Sequence, residues 1–363
     1  MVRSMLEALE EDYMNIDMDT WDPEVAKAMP FKPHNQTSNT LIISQAMKDE
    51  RNKPEVDEIL RKYKDEPLLD IFDRIGVAVC KKNIGNILGR CLIQVSCHYL
   101  YDTDKVIAHA RHYAKLFDEA GISRDRFCIK IPITGPSMVA ARVLNSEGIR
   151  TLGTSLFGLQ QAIAAAQAGC IMVSPYYNEC AAHDNLDTLW PGPLDDPATQ
   201  HPASYRIRHY LEAYQAMYDR GQEVPKVMSA SYISANEIVG SAKLGVWAVT
   251  LFPTHLKELA ETPEDATVSK GPKVKADDPY KLKSTVNPSY AHMSKLDPLA
   301  GDDWDGKLFS IDTDYLANGG AQLEADIKKD KIVGPRLKDA RVLFADAEDE
   351  ALGWIKARLE AAA

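Results

Sequence analysis

No run of about 18 apolar residues occurs anywhere in the 363-residue chain, so no segment reads as a membrane-spanning helix. Cysteine is scarce. The six residues at 80, 91, 97, 128, 170 and 180 form no CxxC pair and mostly lie within apolar runs. That spacing excludes a zinc ribbon or a disulfide framework and fits reduced core thiols of an intracellular chain. Positive charge is also short. The 42 Lys and Arg face 53 Asp and Glu, and the resulting −11 would repel nucleic acid and anionic membrane surfaces. No glycine-rich phosphate loop follows an apolar run, which argues against dinucleotide binding. Nine histidines form no HxH or HxxxH pair. His98, His109 and His112 read as surface or helix-face residues, and no metal or organic cofactor is expected. The amino terminus lacks the apolar stretch of a secretory signal, so the expected location is the cytoplasm.

What the chain has is alternation. Strand-like segments at 13–19, 36–43, 91–97, 126–132, 149–155, 170–174, 226–231 and 246–252 are separated by helix-like ones. A glycine follows several of the helices (Gly121, Gly148, Gly169, Gly221), as a left-handed cap requires. Eight strand–helix units predict an α/β fold, a closed (β/α)8 TIM barrel rather than an open sheet. The expected organisation is one domain over 1–363, with the barrel at 13–260 and a C-terminal extension at 262–363. The polar, proline-rich stretch 179–203 is expected as an insertion. Residues 262–310 are expected to wrap the barrel, and 319–330 and 338–359 to close it as helices.

The stretch around which the rest is arranged is Arg126-Phe127-Cys128-Ile129-Lys130-Ile131-Pro132. Its length and apolarity predict a strand buried on both faces. An ammonium inside such a strand is desolvated, which favours the neutral amine, a nucleophile towards carbonyls. The bland reading is a strand-end lysine that snorkels to water.

In a barrel, chemistry gathers at the C-terminal strand ends. Asp19, Asn39, Gln94, Lys130, Thr154, Ser174 and Ser231 sit late in their strands, with Tyr176 just beyond. Each has a structural alternative. Thr154 and Ser174 could satisfy backbone groups, Asp19 could cap a helix, and Gln94 could pair with Ser96 or His98. Polar groups on seven strand ends form a set that a plain core does not need. His109 and His112, three apart on a predicted helix, share a face of the outer ring away from this set.

These residues resemble the transaldolases, lysine Schiff-base enzymes on a (β/α)8 barrel. Asp19-Thr20-Trp21-Asp22 is similar to the family's Asp-Thr-Gly-Asp, and Gln36-Thr37-Ser38-Asn39 to its Ala-Thr-Thr-Asn. Further along, Ile129-Lys130-Ile131, Glu147-Gly148-Ile149 leading to Thr154-Ser155-Leu156-Phe157, Val173-Ser174-Pro175 and Val227-Met228-Ser229-Ala230-Ser231 keep the family's order. The resemblance spans about 13–260. It implies Lys130 as the Schiff-base nucleophile, Asp19 as the proton-moving carboxylate, Asn39 and Ser174 as holders of donor hydroxyls, and Thr154 as an anchor for a catalytic water. Ser231 joins the substrate-binding set. The implied partners are a ketone donor and an aldehyde acceptor, and a homo-oligomer is compatible with the reading.

Departures from the pattern carry information. Gln94 stands where the family has a glutamate, and Gln orients a water without taking its proton. Tyr176 stands where Phe is usual. Together they are similar to the fructose-6-phosphate aldolase branch. Two phosphate-gripping arginines of the family fall at Glu179 and Ile233, with Arg206 and Arg208 as the available substitutes. The expectation is therefore a C–C bond-making or -breaking enzyme whose substrate lacks the usual sugar phosphate. The alternatives are an ordinary pentose-phosphate transaldolase, and a catalytically silent barrel that binds.

Overall fold

The computed structural model describes residues 3–264, 275, 277, 279–281, 288–301 and 304–362. Eight parallel strands close on themselves in chain order. They are β1 (Asn15–Met18), β2 (Gln36–Thr37), β3 (Cys91–Gln94), β4 (Phe127–Pro132), β5 (Thr151–Leu156), β6 (Met172–Pro175), β7 (Lys226–Ser229) and β8 (Ala248–Leu251). β1 pairs with β8 over four residues, which shuts the barrel. The (β/α)8 expectation is met.

Side chains alternate along each strand, and the two faces of the barrel wall divide accordingly. Ile93, Ile129, Ile131, Val173, Val227 and Val249 join the large apolar core that also takes in the surrounding helices. The other face points into the barrel. There Leu92, Cys128, Leu152, Met172, Met228 and Ala248, one from each of β3 to β8, form a separate apolar layer with Trp247. Two residues further along, the inward positions change character to Gln94, Lys130, Thr154, Ser174 and Thr250. A polar layer thus stands on an apolar floor at the C-terminal end of the barrel.

Boundaries moved in places. The expected strand 36–43 is a strand of two residues, and Thr40–Lys48 is a helix. Asn39 starts that helix, its side-chain oxygen accepting the Ile42 N–H at 3.0 Å. Helical burial of Ile42, Ile43, Ala46 and Met47 then outweighs the strand preference of the isoleucines. The strands at 91–97 and 226–231 end earlier, at Gln94 and Ser229. Gly121 (φ 76°) and Gly245 (φ 87°) close their helices in the left-handed region, as glycine allows. The insertion 179–203 carries short helical turns, Cys180–His183, Leu186–Leu189 and Pro197–Gln200. At the C-terminus Ala321–Lys329 and Val333–Ala361 are helices. The second packs against the Thr40–Lys48 and Leu68–Asn83 helices. Of the expected wrap at 262–310, residues 265–274, 276, 278, 282–287 and 302–303 lie outside the described residues.

One histidine was misjudged. His109, expected on a surface or helix face, is buried. Its Nδ1 accepts the Ser96 N–H at 3.0 Å, so Nε2 carries the proton and donates to Asp73 at 2.9 Å. Two fixed partners offset the cost of burying the ring.

Candidate active site

A cavity of about 400 Å³ opens at the C-terminal strand ends. Lys130, Asp19, Asn39, Tyr176 and Ser231 all line it. A larger cavity, about 650 Å³, lies at the opposite end among Asn15, Arg90, Arg126, Lys226 and Trp247. It contains none of the convergent set and borders the strand starts, where barrel enzymes do not place their chemistry.

Lys130 is the fourth of six residues in β4 and only 5% exposed, so it does not snorkel. Burial lowers its pKa from the ordinary 10.5, with Asp19, Cys180 and Cys97 pulling back the other way. Desolvation wins, and the neutral amine is easier to reach than in water. Gln94 is its register partner on β3. The Gln94 amide donates to Cys97 Sγ at 3.4 Å, while its buried oxygen has no hydrogen-bond partner among the described residues. The structural alternative, a pairing of Gln94 with Ser96 or His98, does not form.

Asp19 lies just past β1. Its carboxylate accepts a short hydrogen bond from the Thr37 hydroxyl on β2, and Asp22 rather than Asp19 caps the next helix. The Asn39 oxygen is spent on its helix cap, which orients the amide and leaves Nδ2 as the group offered to the cavity. Thr154 is buried on β5, its hydroxyl 3.4 Å from the Tyr176 phenol. Burial raises the Tyr176 pKa, against contributions from Thr154 and Ser155, so the phenol stays protonated. Ser174 is buried on β6; it, Gln94 and Thr154 belong to the inward polar layer with Lys130 but are not among the residues lining the cavity. Ser231 follows β7 in the left-handed region (φ 67°), donating to the Asn178 carbonyl at 2.8 Å with His183 Nε2 at 2.9 Å.

Several lining residues escaped the sequence reading. Cys180, His183 and Asp184 come from the 179–203 insertion, and Leu343 and Phe344 from the long C-terminal helix. Burial lowers the His183 pKa, so its ring is neutral near pH 7. The signal for these residues was absent because they arrive from distant segments. Ser155 was also missed. Its backbone is left-handed (φ 51°) one residue after Thr154, and strain of this kind gathers at functional sites.

The substitute arginines are elsewhere. Arg206 is bound to Asp297, Asp330 and the Phe157 carbonyl, and Arg208 is buried against Glu212. Glu179 takes the guanidinium of Arg336 at 2.9 Å. Among the described lining residues no arginine occurs, and Lys130 is the single lysine.

Residues 16–300 match the family model described as Transaldolase/Fructose-6-phosphate aldolase. The chain belongs to this family. A transaldolase of Glaesserella parasuis serovar 5 (strain SH0165) is 32% identical over 252 residues, 67% of this chain and 76% of that protein. The family makes the chain an enzyme of C–C bond chemistry, which sets the silent barrel aside. Two solved structures show weaker likeness. One, an Amycolatopsis orientalis BexX/CysO complex, is 20% identical with TM-score 0.32, covering 48% of this chain and 64% of its own. The other is an IMP dehydrogenase/GMP reductase-like protein from Corynebacterium glutamicum ATCC 13032 Kitasato. It is 9% identical with TM-score 0.41, covering 69% and 68%. No helix among the described residues is long and apolar enough to cross a membrane.

Proposed function

We propose that this member of the family is a lysine Schiff-base aldolase or transaldolase acting on an uncharged ketose. The observation that carries this is a buried, deprotonation-prone lysine beside a carboxylate in a cavity with no guanidinium among its described lining residues. Lys130 Nζ bonds to the ketone carbon, and the carbonyl oxygen takes up protons and leaves as water. The resulting iminium accepts the electron pair of the neighbouring C–C bond as Asp19 removes the proton from the adjacent hydroxyl. An aldehyde departs and an enamine remains. An acceptor aldehyde or a proton then takes the enamine's electron pair, and water releases the product from Lys130. Tyr176 and Thr154 hold the water that shuttles protons, with Gln94 orienting it. Asn39 Nδ2, Ser174 and Ser231 bind donor hydroxyls.

The chain works as one domain, barrel 13–260 and extension 262–363, because the extension delivers Leu343 and Phe344 to the cavity. Among the described lining residues a phosphate dianion would meet Asp19 and Asp184 and no arginine fork, which disfavours it. The name of the 32% identical relative favours a second reading, transfer between the usual sugar phosphates. Steady-state assays with fructose 6-phosphate and erythrose 4-phosphate, against fructose and dihydroxyacetone, separate the two. The proposal expects the unphosphorylated pair to be preferred. A kcat/KM above about 10⁴ M⁻¹ s⁻¹ for both phosphates establishes the second reading instead.

A further inference from the structure

On the outer ring, Asp70 and Asp73 stand three apart on the Leu68–Asn83 helix and face His112 on the Thr103–Glu119 helix. One ligand atom from each lies within 4.8 Å of the others. His112 Nε2 is 3.9 Å from Asp70 Oδ1 and 3.7 Å from Asp73 Oδ2, too far for hydrogen bonds. Both distances are near the spacing of about 3.3 Å that ligands bound at 2.0–2.2 Å take around a tetrahedral ion.

Two atoms make this more than a surface cluster. Asp73 is fully buried and, among the described residues, its Oδ1 has no hydrogen-bond partner, and His112 Nε2, the atom that faces both carboxylates, is likewise buried and unpartnered. Leaving such groups without a partner is costly in a folded protein. Asp73 is meanwhile held by the Nε2 proton of His109 at 2.9 Å, an outer support of the kind that metal-ligating carboxylates have. The side chains of Asp70 and His112 keep 37% and 25% exposure, so an ion and its remaining water ligands can enter from solvent.

We propose that Asp70, Asp73 and His112 bind one divalent transition-metal ion of the zinc class, clamping these two outer helices together. The imidazole nitrogen points to this class, since calcium and magnesium favour all-oxygen sites. The sequence expectation of no metal weighed His109 with His112. The structure instead turns His109 to Asp73 and pairs His112 with the two carboxylates.

The test uses the full chain, stripped with chelator and titrated with Zn²⁺ and Co²⁺ by calorimetry and visible absorption. One ion per chain is expected, with a cobalt spectrum showing nitrogen and oxygen ligation and a Tm that rises with Zn²⁺. His112→Ala and Asp70→Ala, both at partly exposed positions, should each weaken binding by about tenfold or more and abolish the Tm rise. His98→Ala should leave binding unchanged. No binding by the wild-type chain, binding unaffected by His112→Ala, or equal affinity for Ca²⁺ would each overturn the proposal.

Discussion

Asn39 carries two separable jobs, and substitution can pull them apart. Its oxygen caps the Thr40–Lys48 helix at 3.0 Å from the Ile42 N–H, which leaves its amide nitrogen as the group available to the cavity that Asn39 lines. Asn39→Ala removes both. Loss of the cap costs about 1 kcal/mol of stability, within a usual range of about 0.5–2. Loss of a neutral hydrogen bond to a donor hydroxyl costs about 0.5–1.5 kcal/mol, equivalent to roughly twofold to tenfold in kcat/KM. Asn39→Asp keeps the cap, because aspartate ranks with asparagine there, but a carboxylate cannot donate. It also adds a negative charge beside Asp19. Urea unfolding should therefore place Asn39→Asp within a few tenths of a kcal/mol of wild type, with Asn39→Ala about 1 kcal/mol lower. Activity should fall in both, and at least as far in Asn39→Asp. Full activity in Asn39→Asp would refute the assignment of Nδ2 to the substrate. Loss that tracks stability across the two variants would reduce Asn39 to a helix cap.

Other outcomes follow from the same geometry. Burial lowers the Lys130 pKa, so between that lowered value and 10.5 the unfolded chain binds more protons and stability rises with pH. Lys130→Met should then unfold at higher urea than wild type at pH 7, and the gap should shrink as pH approaches 10.5. A constant gap would contradict this. Asp19 raises the Lys130 pKa, so Asp19→Asn should shift the pH midpoint of imine formation downward, read by trapping across pH, while C–C cleavage is lost. Leu152→Ala should cost about 2–5 kcal/mol in urea unfolding, since Leu152 is fully buried in the apolar floor beneath the polar layer. Glu179→Gln should lower stability by about 1–3 kcal/mol by leaving the largely buried Arg336 without its carboxylate, measured by the same method.

The strand–helix alternation was readable because each buried strand is a short apolar run bounded by polar residues. The lysine was readable because it breaks one of those runs. Periodicity failed at 36–43, where Leu41, Ile42 and Ile43 look like strand, and a cap at Asn39 decides for helix. Asp19, Asn39, Lys130, Tyr176 and Ser231 line one cavity at the strand ends, whereas Gln94, Thr154 and Ser174 are buried and not among its lining residues. His183 and Phe344 were unreadable for a different reason. Each reaches the cavity through tertiary contacts that no local pattern encodes, Phe344 by way of a helix anchored through the Thr40 hydroxyl to its carbonyl. His109 shows the same limit, since only folding brings Asp73 to its ring.

The central claim is that Lys130 forms a covalent imine with a ketone donor. Borohydride reduction with dihydroxyacetone or fructose, followed by intact-protein and peptide mass spectrometry, tests it directly. The account predicts one reduced adduct per chain, on the peptide containing Lys130, and none in Lys130→Met. An active enzyme with no adduct from any turned-over donor, or an adduct that survives in Lys130→Met, would contradict it.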